Sequence, residues 1–162
     1  MGWERAKRWE SLVMAGVLLL TVFVVRSTLF TVIRVEGQSM RETYQGGELL
    51  LVTVPDLWLQ GPRQGDVVIL RYPGQQGLFV KRVAALGGQQ VALRQGRLYV
   101  DGYPVQEEPG VVRDQRAFGP VTVPQDSVFV LGDNRPDSMD SRMVGPVQKD
   151  MLVGRVLVQL AG

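Results

Sequence analysis

The chain has 162 residues, a formal net charge of +2 at pH 7, and neither histidine nor cysteine. These absences exclude disulfides, thiolate nucleophiles, cysteine-based zinc or iron–sulfur centres, and the usual histidine general base. The length suits one domain with its own core, plus a short additional segment.

The charge is unevenly distributed along the chain. Residues 1–34 carry a net charge of +3 and residues 35–162 a net charge of −1. The body therefore has no basic patch, which argues against a nucleic acid partner. Lysine is also rare, because Lys7, Lys81 and Lys149 stand against fifteen arginines. A lysine in the middle of a predicted strand, Lys81, is thus an unusual choice for this protein.

The N-terminal part has the pattern of a membrane anchor. Residues 1–11 form a basic flank with two tryptophans, and residues 12–25 carry no charge and only one polar side chain, Thr21, before Arg26. A helix over residues 9–27 would be about 28 Å long, close to the thickness of a bilayer's hydrocarbon core. We therefore predict a transmembrane anchor over residues 12–28. A cleavable signal peptide and a buried core helix are the alternatives, and only Val25 and Ser27 resemble a cleavage site.

Residues 29–162 show the short apolar runs and turn residues of a mainly β domain. The turn signals Gln95-Gly96 and Asp101-Gly102 predict a meander of paired strands, and residues 107–119 are polar and predict a surface excursion. We expect strands near residues 29–35, 49–52, 67–70, 78–83, 91–93, 98–100, 121–130 and 153–160.

One predicted loop, residues 55–62, is bracketed by prolines but carries three large apolar side chains, Leu57, Trp58 and Leu59. These side chains could fold back into the core. They could also dip into the bilayer interface, where tryptophan is favoured. Leu57, Trp58 and Leu59 are therefore candidates for membrane contact.

Ser39 follows the predicted anchor and is a candidate nucleophile. With no histidine present, its hydroxyl would need another base, and a lysine could serve if its amine were uncharged. An unperturbed lysine has a pKa of about 10.4, and lowering it to about 7 or 8 costs roughly 4 kcal/mol of differential solvation. A strand over residues 78–83 would place Lys81 on one face with Phe79 and Val83, where burial could supply that cost.

The run from Gly132 to Arg142 supplies the context for this pairing. It reads Gly-Asp-Asn-Arg-Pro-Asp-Ser-Met-Asp-Ser-Arg. The run resembles the signature of the bacterial type I signal peptidases, a family of serine/lysine membrane proteases. Two further family segments occur in order, Ser39-Met40 after the anchor and Lys81-Arg82-Val83 after a Gly-Asp-Val-Val stretch at residues 65–68. The resemblance extends from the anchor almost to the C-terminus.

The resemblance implies roles for individual residues. Ser39 would be the nucleophile, Lys81 the general base, and Ser138 a hydrogen-bonding partner that orients the lysine amine. The backbone N–H of Ser39 would form part of the oxyanion hole, together with Gly37 at a position where many members carry a Ser or Thr donor. Structural support of the site would come from the remaining residues of the motif, Asp133, Asn134, Arg135, Asp140 and Arg142.

The function implied by the resemblance is the removal of signal peptides from exported pre-proteins, through an acyl-enzyme and without metal or cofactor. It also implies small substrate residues at the first and third positions before the cut, and a β-rich catalytic fold of the signal-peptidase and SOS-repressor type. The N-terminus would be cytoplasmic, with residues 29–162 on the outer side of the cytoplasmic membrane. A self-cleaving SOS-type repressor and a non-enzymatic tethered β domain are the alternatives, and the apolar segment argues against the first.

Overall fold

The fold is taken from a computed structural model that describes residues 2–161, except for the side chains of residues 2–8, 25–28, 55, 58 and 161. The helices are α1 Gly2–Leu29, α2 Pro55–Gln60 and α3 Ser141–Val144, and 3-10 turns cover Arg135–Asp137 and Lys149–Met151. The strands are β1 Phe30–Arg34, β2 Leu49–Thr53, β3 Val67–Leu70, β4 Phe79–Leu86, β5 Gln90–Arg94, β6 Arg97–Val100, β7 Tyr103–Pro104, β8 Phe118–Thr122, β9 Ser127–Leu131, β10 Val147–Gln148 and β11 Leu152–Ala161. The chain is therefore mainly β, as predicted.

Within residues 2–161 the strands form two antiparallel sheets. The larger has seven strands in the order β1-β2-β11-β3-β4-β9-β10, and the smaller has four in the order β7-β6-β5-β8. The last strand, β11, pairs with both β2 and β3 in the middle of the larger sheet. It thereby joins the β1-β2 pair to the strands β3, β4 and β9.

The continuous apolar runs of β3 and β9 arise because both strands are covered on both faces. Val68 and Leu70 of β3 belong to one core cluster, while Val67 and Ile69 belong to a second that also contains Val35 and Met40. In β9, alternate side chains likewise enter two clusters, one of them shared with the smaller sheet. Successive side chains of a strand point to opposite faces, so a strand between two cores must be apolar at every position.

The predicted meander is present in the smaller sheet. Strands β5 and β6 pair antiparallel, and so do β6 and β7. Both connecting turns have positive φ at each central residue, 50° and 73° at Gln95-Gly96 and 52° and 85° at Asp101-Gly102. This is the pattern of type I′ turns, whose twist matches that of the flanking strands.

Two predictions from the sequence were wrong. Residues 55–60 form helix α2 rather than a loop, because Pro55 occupies a first-turn position that suits proline. Residues 121–130 are not one strand: the chain leaves β8 in the smaller sheet and enters β9 in the larger one. Val123 is buried between the two sheets in this connection, so its apolar character reflects packing rather than strand pairing.

The candidate membrane loop also needs correction at one position. Leu57 is buried in the cluster that contains Val68 and Leu70, so it does not contact a membrane. Leu59 is 83% exposed, and the side chain of Trp58 lies outside the described residues.

The predicted anchor, residues 12–28, lies within helix α1. Among the described residues, no helix is both long enough and apolar enough to span a membrane. The side chains of residues 25–28, at the end of the predicted anchor, lie outside the described part. The anchor stays a prediction.

Candidate active site

The segment that carries Ser39 connects β1 to β2. Val35 pairs through its backbone with both Glu48 and Gly47, at 2.8 and 3.0 Å, and its side chain is buried. Met40 is also buried, and its carbonyl accepts hydrogen bonds from the N–H groups of residues 43 and 44. Two apolar anchors and one tight turn therefore fix the position of Ser39.

Lys81 lies on β4, paired with Val68 of the central strand β3. Its side chain is only 2% exposed, and Phe79 and Val83, two residues away on either side, pack in one core cluster. The Lys81 Nζ lies 2.5 Å from the Ser39 Oγ, and the two groups are hydrogen-bonded. The structure thus brings together the two residues that the sequence singled out as nucleophile and base.

The surroundings of Lys81 favour its uncharged form. The pKa of Lys81 is lowered to about 8, mainly by burial; the carboxylates of Asp140 and Asp133 raise it in part, and the charge of Arg142 contributes to the lowering. Removal of the amine from water is the largest of these effects, since a buried ammonium loses its hydration. A sizeable fraction of the amine is therefore neutral near pH 8.

The motif loop, residues 132–142, reaches the site because β9 pairs with β4. Arg82 is opposite Leu131, the last residue of β9, so the chain leaves the sheet beside Lys81. Asn134 then contacts the nucleophile segment twice: its backbone N–H donates to the Ser39 carbonyl at 2.9 Å, and its side-chain amide donates to the Gln38 carbonyl at 3.0 Å. The loop holds the backbone on both sides of the Ser39 peptide nitrogen.

The crowded surroundings of residue 132 explain why the motif begins with glycine. A Cβ at this position would lie 2.2 Å from the Ser138 Oγ and 2.6 Å from the Ser39 carbonyl oxygen. Neither distance is possible for a real side chain, so the space beside the residue 132 backbone is filled by the Ser138 side chain and the Ser39 carbonyl. Only glycine lets the chain that follows β9 approach Ser39 this closely.

Asp133 connects the two candidate catalytic segments. It is fully buried and accepts two hydrogen bonds from Arg82, at 2.9 and 2.7 Å. It also accepts one from the Thr43 hydroxyl at 2.5 Å, and its backbone N–H contacts the Met40 sulfur at 3.4 Å. Asp133 therefore ties the neighbour of Lys81 in β4 to the turn that follows Ser39.

The other charged residues of the motif form two further clusters. Arg142 donates two hydrogen bonds to the buried Asp140, both at 2.8 Å, and a third to Asp114. Arg135 donates to the Gly132 carbonyl and pairs with Glu107. Buried charges of this kind are tolerated when each is paired and hydrogen-bonded.

Four partners of the motif were missed by the sequence analysis: Thr43, Arg82, Glu107 and Asp114. Residues 107–119 were predicted to be a surface excursion, yet the carboxylates of Glu107 and Asp114 are largely buried against Arg135 and Arg142. One signal was available in the sequence. Two arginines in a buried motif require acidic partners, and this acid-containing segment leads into β8.

Ser138 does not make the hydrogen bond predicted for it. Its Oγ is buried and has no hydrogen-bonding partner among the described residues. The side chain instead packs against the backbone of Gly132, and the Lys81 amine is hydrogen-bonded to Ser39. The hydroxyl therefore retains an unused donor and acceptor in the interior.

The predicted oxyanion positions lie at the surface of the site. Gly37 is exposed with a φ of +90°, and a Cβ there would meet no atom within 4 Å. This conformation favours glycine, although there is space for a side chain. Within residues 2–161, the Ser39 N–H donates no hydrogen bond, so it is available to an incoming oxygen.

Ser39 and Lys81 open onto a cleft of about 370 Å³. One wall is the nucleophile segment, residues 36–39, and the other comprises residues 76–81 at the start of β4. Two segments that leave room between them can receive an extended peptide, as in strand addition. A peptide lying in this cleft would pass beside the serine hydroxyl.

Residues 8–161 match the family model described as signal peptidase, peptidase S26. The chain belongs to the peptidase S26 family of signal peptidases. The match covers nearly the whole chain and includes Ser39, Lys81 and the motif loop. The family resemblance inferred from the sequence is confirmed.

Individual members of the family are similar over most of their length. Signal peptidase I T of Bacillus subtilis (strain 168) is 34% identical over 158 residues, which covers 90% of this chain and 80% of the relative. Signal peptidase I of Bacillus amyloliquefaciens is 33% identical, covering 83% of this chain and 76% of the relative. A crystal structure of a signal peptidase I from Enterococcus faecalis V583 is 29% identical with a TM-score of 0.51, covering 60% of this chain and 97% of that one.

Thr43 offers a test of the link through Asp133. We expect Thr43→Val to lower the free energy of unfolding by about 1 kcal/mol, because a buried carboxylate loses one donor while keeping Arg82. The kcat for peptide cleavage should fall with little change in KM, since the turn after Ser39 loosens. Thr43→Ser should restore both values, and Thr122→Val, at an exposed threonine, is the control. Unchanged unfolding and kcat in Thr43→Val would contradict this role.

We expect the buried Lys81 to destabilise the folded protein at neutral pH. Its pKa is about 8 in the folded chain and 10.5 in the reference state, so the unfolded chain binds more protons between these values and stability rises with pH there. We expect Lys81→Met to raise the free energy of unfolding at pH 7 by about 1–3 kcal/mol. The gain should shrink from about pH 8 to pH 10.5 in denaturant titrations.

Lys149→Met, at an exposed lysine, is the matched control for that experiment and should show no such pH-dependent gain. A Lys81→Met protein that is less stable than the wild type at pH 7 would show that burial of the amine carries no penalty.

Proposed function

We propose that this signal peptidase family member removes signal peptides from exported pre-proteins, with Ser39 as nucleophile and Lys81 as general base. The observation that carries the proposal is the 2.5 Å contact between the Ser39 Oγ and the buried Lys81 amine. A serine hydroxyl needs a neutral base within hydrogen-bonding reach. Lys81 meets the distance requirement, and its lowered pKa meets the charge requirement.

In the first half of the reaction, the neutral Lys81 amine takes the proton of the Ser39 hydroxyl as the Oγ attacks the scissile carbonyl carbon. The resulting tetrahedral oxyanion would accept a hydrogen bond from the Ser39 N–H, which donates to no acceptor within residues 2–161. The C–N bond then breaks, and the Lys81 ammonium returns its proton to the departing amino group. The signal peptide is left as an ester on Ser39.

In the second half, the Lys81 amine takes a proton from a water molecule as that water attacks the ester carbonyl. Collapse of the second tetrahedral oxyanion breaks the C–O bond, returns the proton to the Ser39 Oγ, and releases the signal peptide with a free carboxyl group. Ser138 would hold the amine in this half, when the Ser39 hydroxyl is no longer available as its partner. The buried, unpartnered Ser138 Oγ supports this role.

The remaining motif residues would act through position rather than by touching substrate. The loop would be held against residues 38–43 and 107 by Asp133, Asn134 and Arg135. The beginning of α3 would be held by the pair of Asp140 and Arg142. Gly37 would contribute only backbone to the oxyanion hole. Substrates would carry small residues at the first and third positions before the cut, by analogy with the family.

We further propose that residues 12–28 anchor the protein in the cytoplasmic membrane, with residues 1–11 in the cytoplasm and residues 29–162 outside. Large apolar side chains of α1 are exposed, including Leu12 at 68%, Leu19 at 70% and Phe23 at 70%. Such a stripe is unfavourable in water and suits lipid. The exposed Leu59 on α2 would contact the interface beside the anchor.

Activity should depend on both members of the dyad. We expect Ser39→Ala and Lys81→Ala each to lower pre-protein cleavage in detergent by at least about 10³-fold, since each removes a group that acts in bond making. Lys81→Arg should be equally inactive, because a guanidinium keeps its proton. Circular dichroism of each variant checks that the fold is retained. A fully active, folded Lys81→Ala protein would rule out the mechanism.

The anchor can be tested by location. The full-length chain, expressed in bacteria, should stay with the membrane fraction after alkaline carbonate extraction. Protease added to spheroplasts should degrade residues 29–162, because they would lie outside. Release into the carbonate supernatant would contradict the anchor, and protection from protease would contradict the orientation.

A further inference from the structure

The cleft at Ser39 is bordered by unbalanced negative charge. Among the described residues that line it, Glu36 and Asp137 carry carboxylates, and the only cationic group is the amine of Lys81. That amine is the proposed base and is largely withdrawn from solvent. The charge that a bound peptide meets at the walls of this cleft is therefore negative.

These two carboxylates are free to act on a ligand. Both residues are exposed, and neither forms an ion pair or side-chain hydrogen bond with another described residue. The other carboxylates close to the dyad differ in this respect, because Asp133 is paired with Arg82 and Asp140 with Arg142. The arginines offset the charge of the buried acids, whereas the negative charge of the two cleft acids is not offset by any described residue.

The two carboxylates come from separate parts of the chain that are fixed to each other at Ser39. Glu36 lies in the nucleophile segment, three residues before Ser39. Asp137 ends a 3-10 turn, where its N–H donates to the Asn134 carbonyl at 3.1 Å, and Asn134 donates to the Ser39 carbonyl. Both charges are thus held near the point where the scissile bond would lie.

We propose that Glu36 and Asp137 make this signal peptidase family member selective for substrates with a lysine or arginine next to the small residues around the cut. The inference rests on the proposed function and adds a charge requirement to it. A cation close to the cut is attracted by both carboxylates, while an acidic residue there is repelled. Because the groups are exposed, the effect depends on ionic strength.

The test uses peptides that span a cleavage site, with alanine at the first and third positions before the cut. Lysine, glutamine or glutamate is placed in turn at the second position before the cut and at each of the three positions after it. At one or more positions we expect kcat/KM to fall in the order Lys, Gln, Glu, by about two- to five-fold per step at low salt. The order should flatten at about 0.5 M salt.

Variants then assign the preference to the two residues. Glu36→Gln combined with Asp137→Asn should bring the Lys/Glu ratio of kcat/KM close to one, and Glu36→Lys should reverse it. Glu42→Gln removes an exposed carboxylate that does not line the cleft, and it should leave the ratio unchanged. Equal kcat/KM for all three peptides at every position would overturn the proposal, as would an unchanged ratio in the double variant.

Binding of the same peptides to Ser39→Ala, measured by calorimetry, separates this proposal from the function on which it rests. Suppose that Ser39→Ala binds the lysine peptide most tightly but the wild type cleaves none of the peptides. That result would support the charge requirement and overturn the peptidase function. Cleavage by the wild type without any charge preference would support the function and overturn this inference.

Discussion

Desolvation of the Lys81 amine is the interaction on which the rest of the site depends. A lysine can act as a base near neutral pH only if its ammonium form is disfavoured, and burial on an apolar face of β4 provides this. A buried carboxylate beside the amine would favour the charged form if no cation offset it. The buried acids near Lys81 are paired, Asp133 with Arg82 and Asp140 with Arg142. The charge of Arg142 lowers the Lys81 pKa and so opposes the effect of Asp140 and Asp133, which raise it.

This requirement also explains the choice between lysine and arginine. The protein uses arginine for its buried ion pairs, where a permanent charge and several donors are useful. At position 81 a permanent charge would be useless for accepting a proton. The single buried lysine among the described side chains therefore occupies the position where the proposed mechanism requires a group that can lose its proton.

The motif loop also holds two segments that are far apart in sequence at a fixed distance from each other. Ser39 lies in a connection outside the strands, while Lys81 lies within the sheet, and nothing in the sheet hydrogen bonding relates them directly. Gly132 packs against the Ser39 backbone, and Asn134 donates a hydrogen bond to it. Asp133 accepts hydrogen bonds from both Arg82 and Thr43. The distance between hydroxyl and amine is thus set by a third segment that touches both.

Several strands could be predicted closely because their local chemistry is decisive. The run 67–70 is apolar throughout and became a strand buried on both faces, and the Gln95-Gly96 and Asp101-Gly102 turns formed the meander. Residues 55–60 misled the prediction because proline is compatible both with a loop and with the first turn of a helix. Residues 121–130 misled it because apolar side chains mark burial, whichever sheet receives them.

The sequence by itself determined the chemistry available to this protein. Without histidine or cysteine, a serine nucleophile would need another base, the unusual lysine in an apolar strand was the candidate, and the spacing of residues 132–142 indicated the family. Only the tertiary structure decided the partners: the contact of Ser39 with Lys81, and the buried pairs made by Glu107 and Asp114. It also showed that, among the described residues, the Ser138 hydroxyl and the two cleft carboxylates have no partner. Residue types and local spacing record which groups are present, whereas distances between segments far apart in sequence arise only when the sheets pack and the loops close over them.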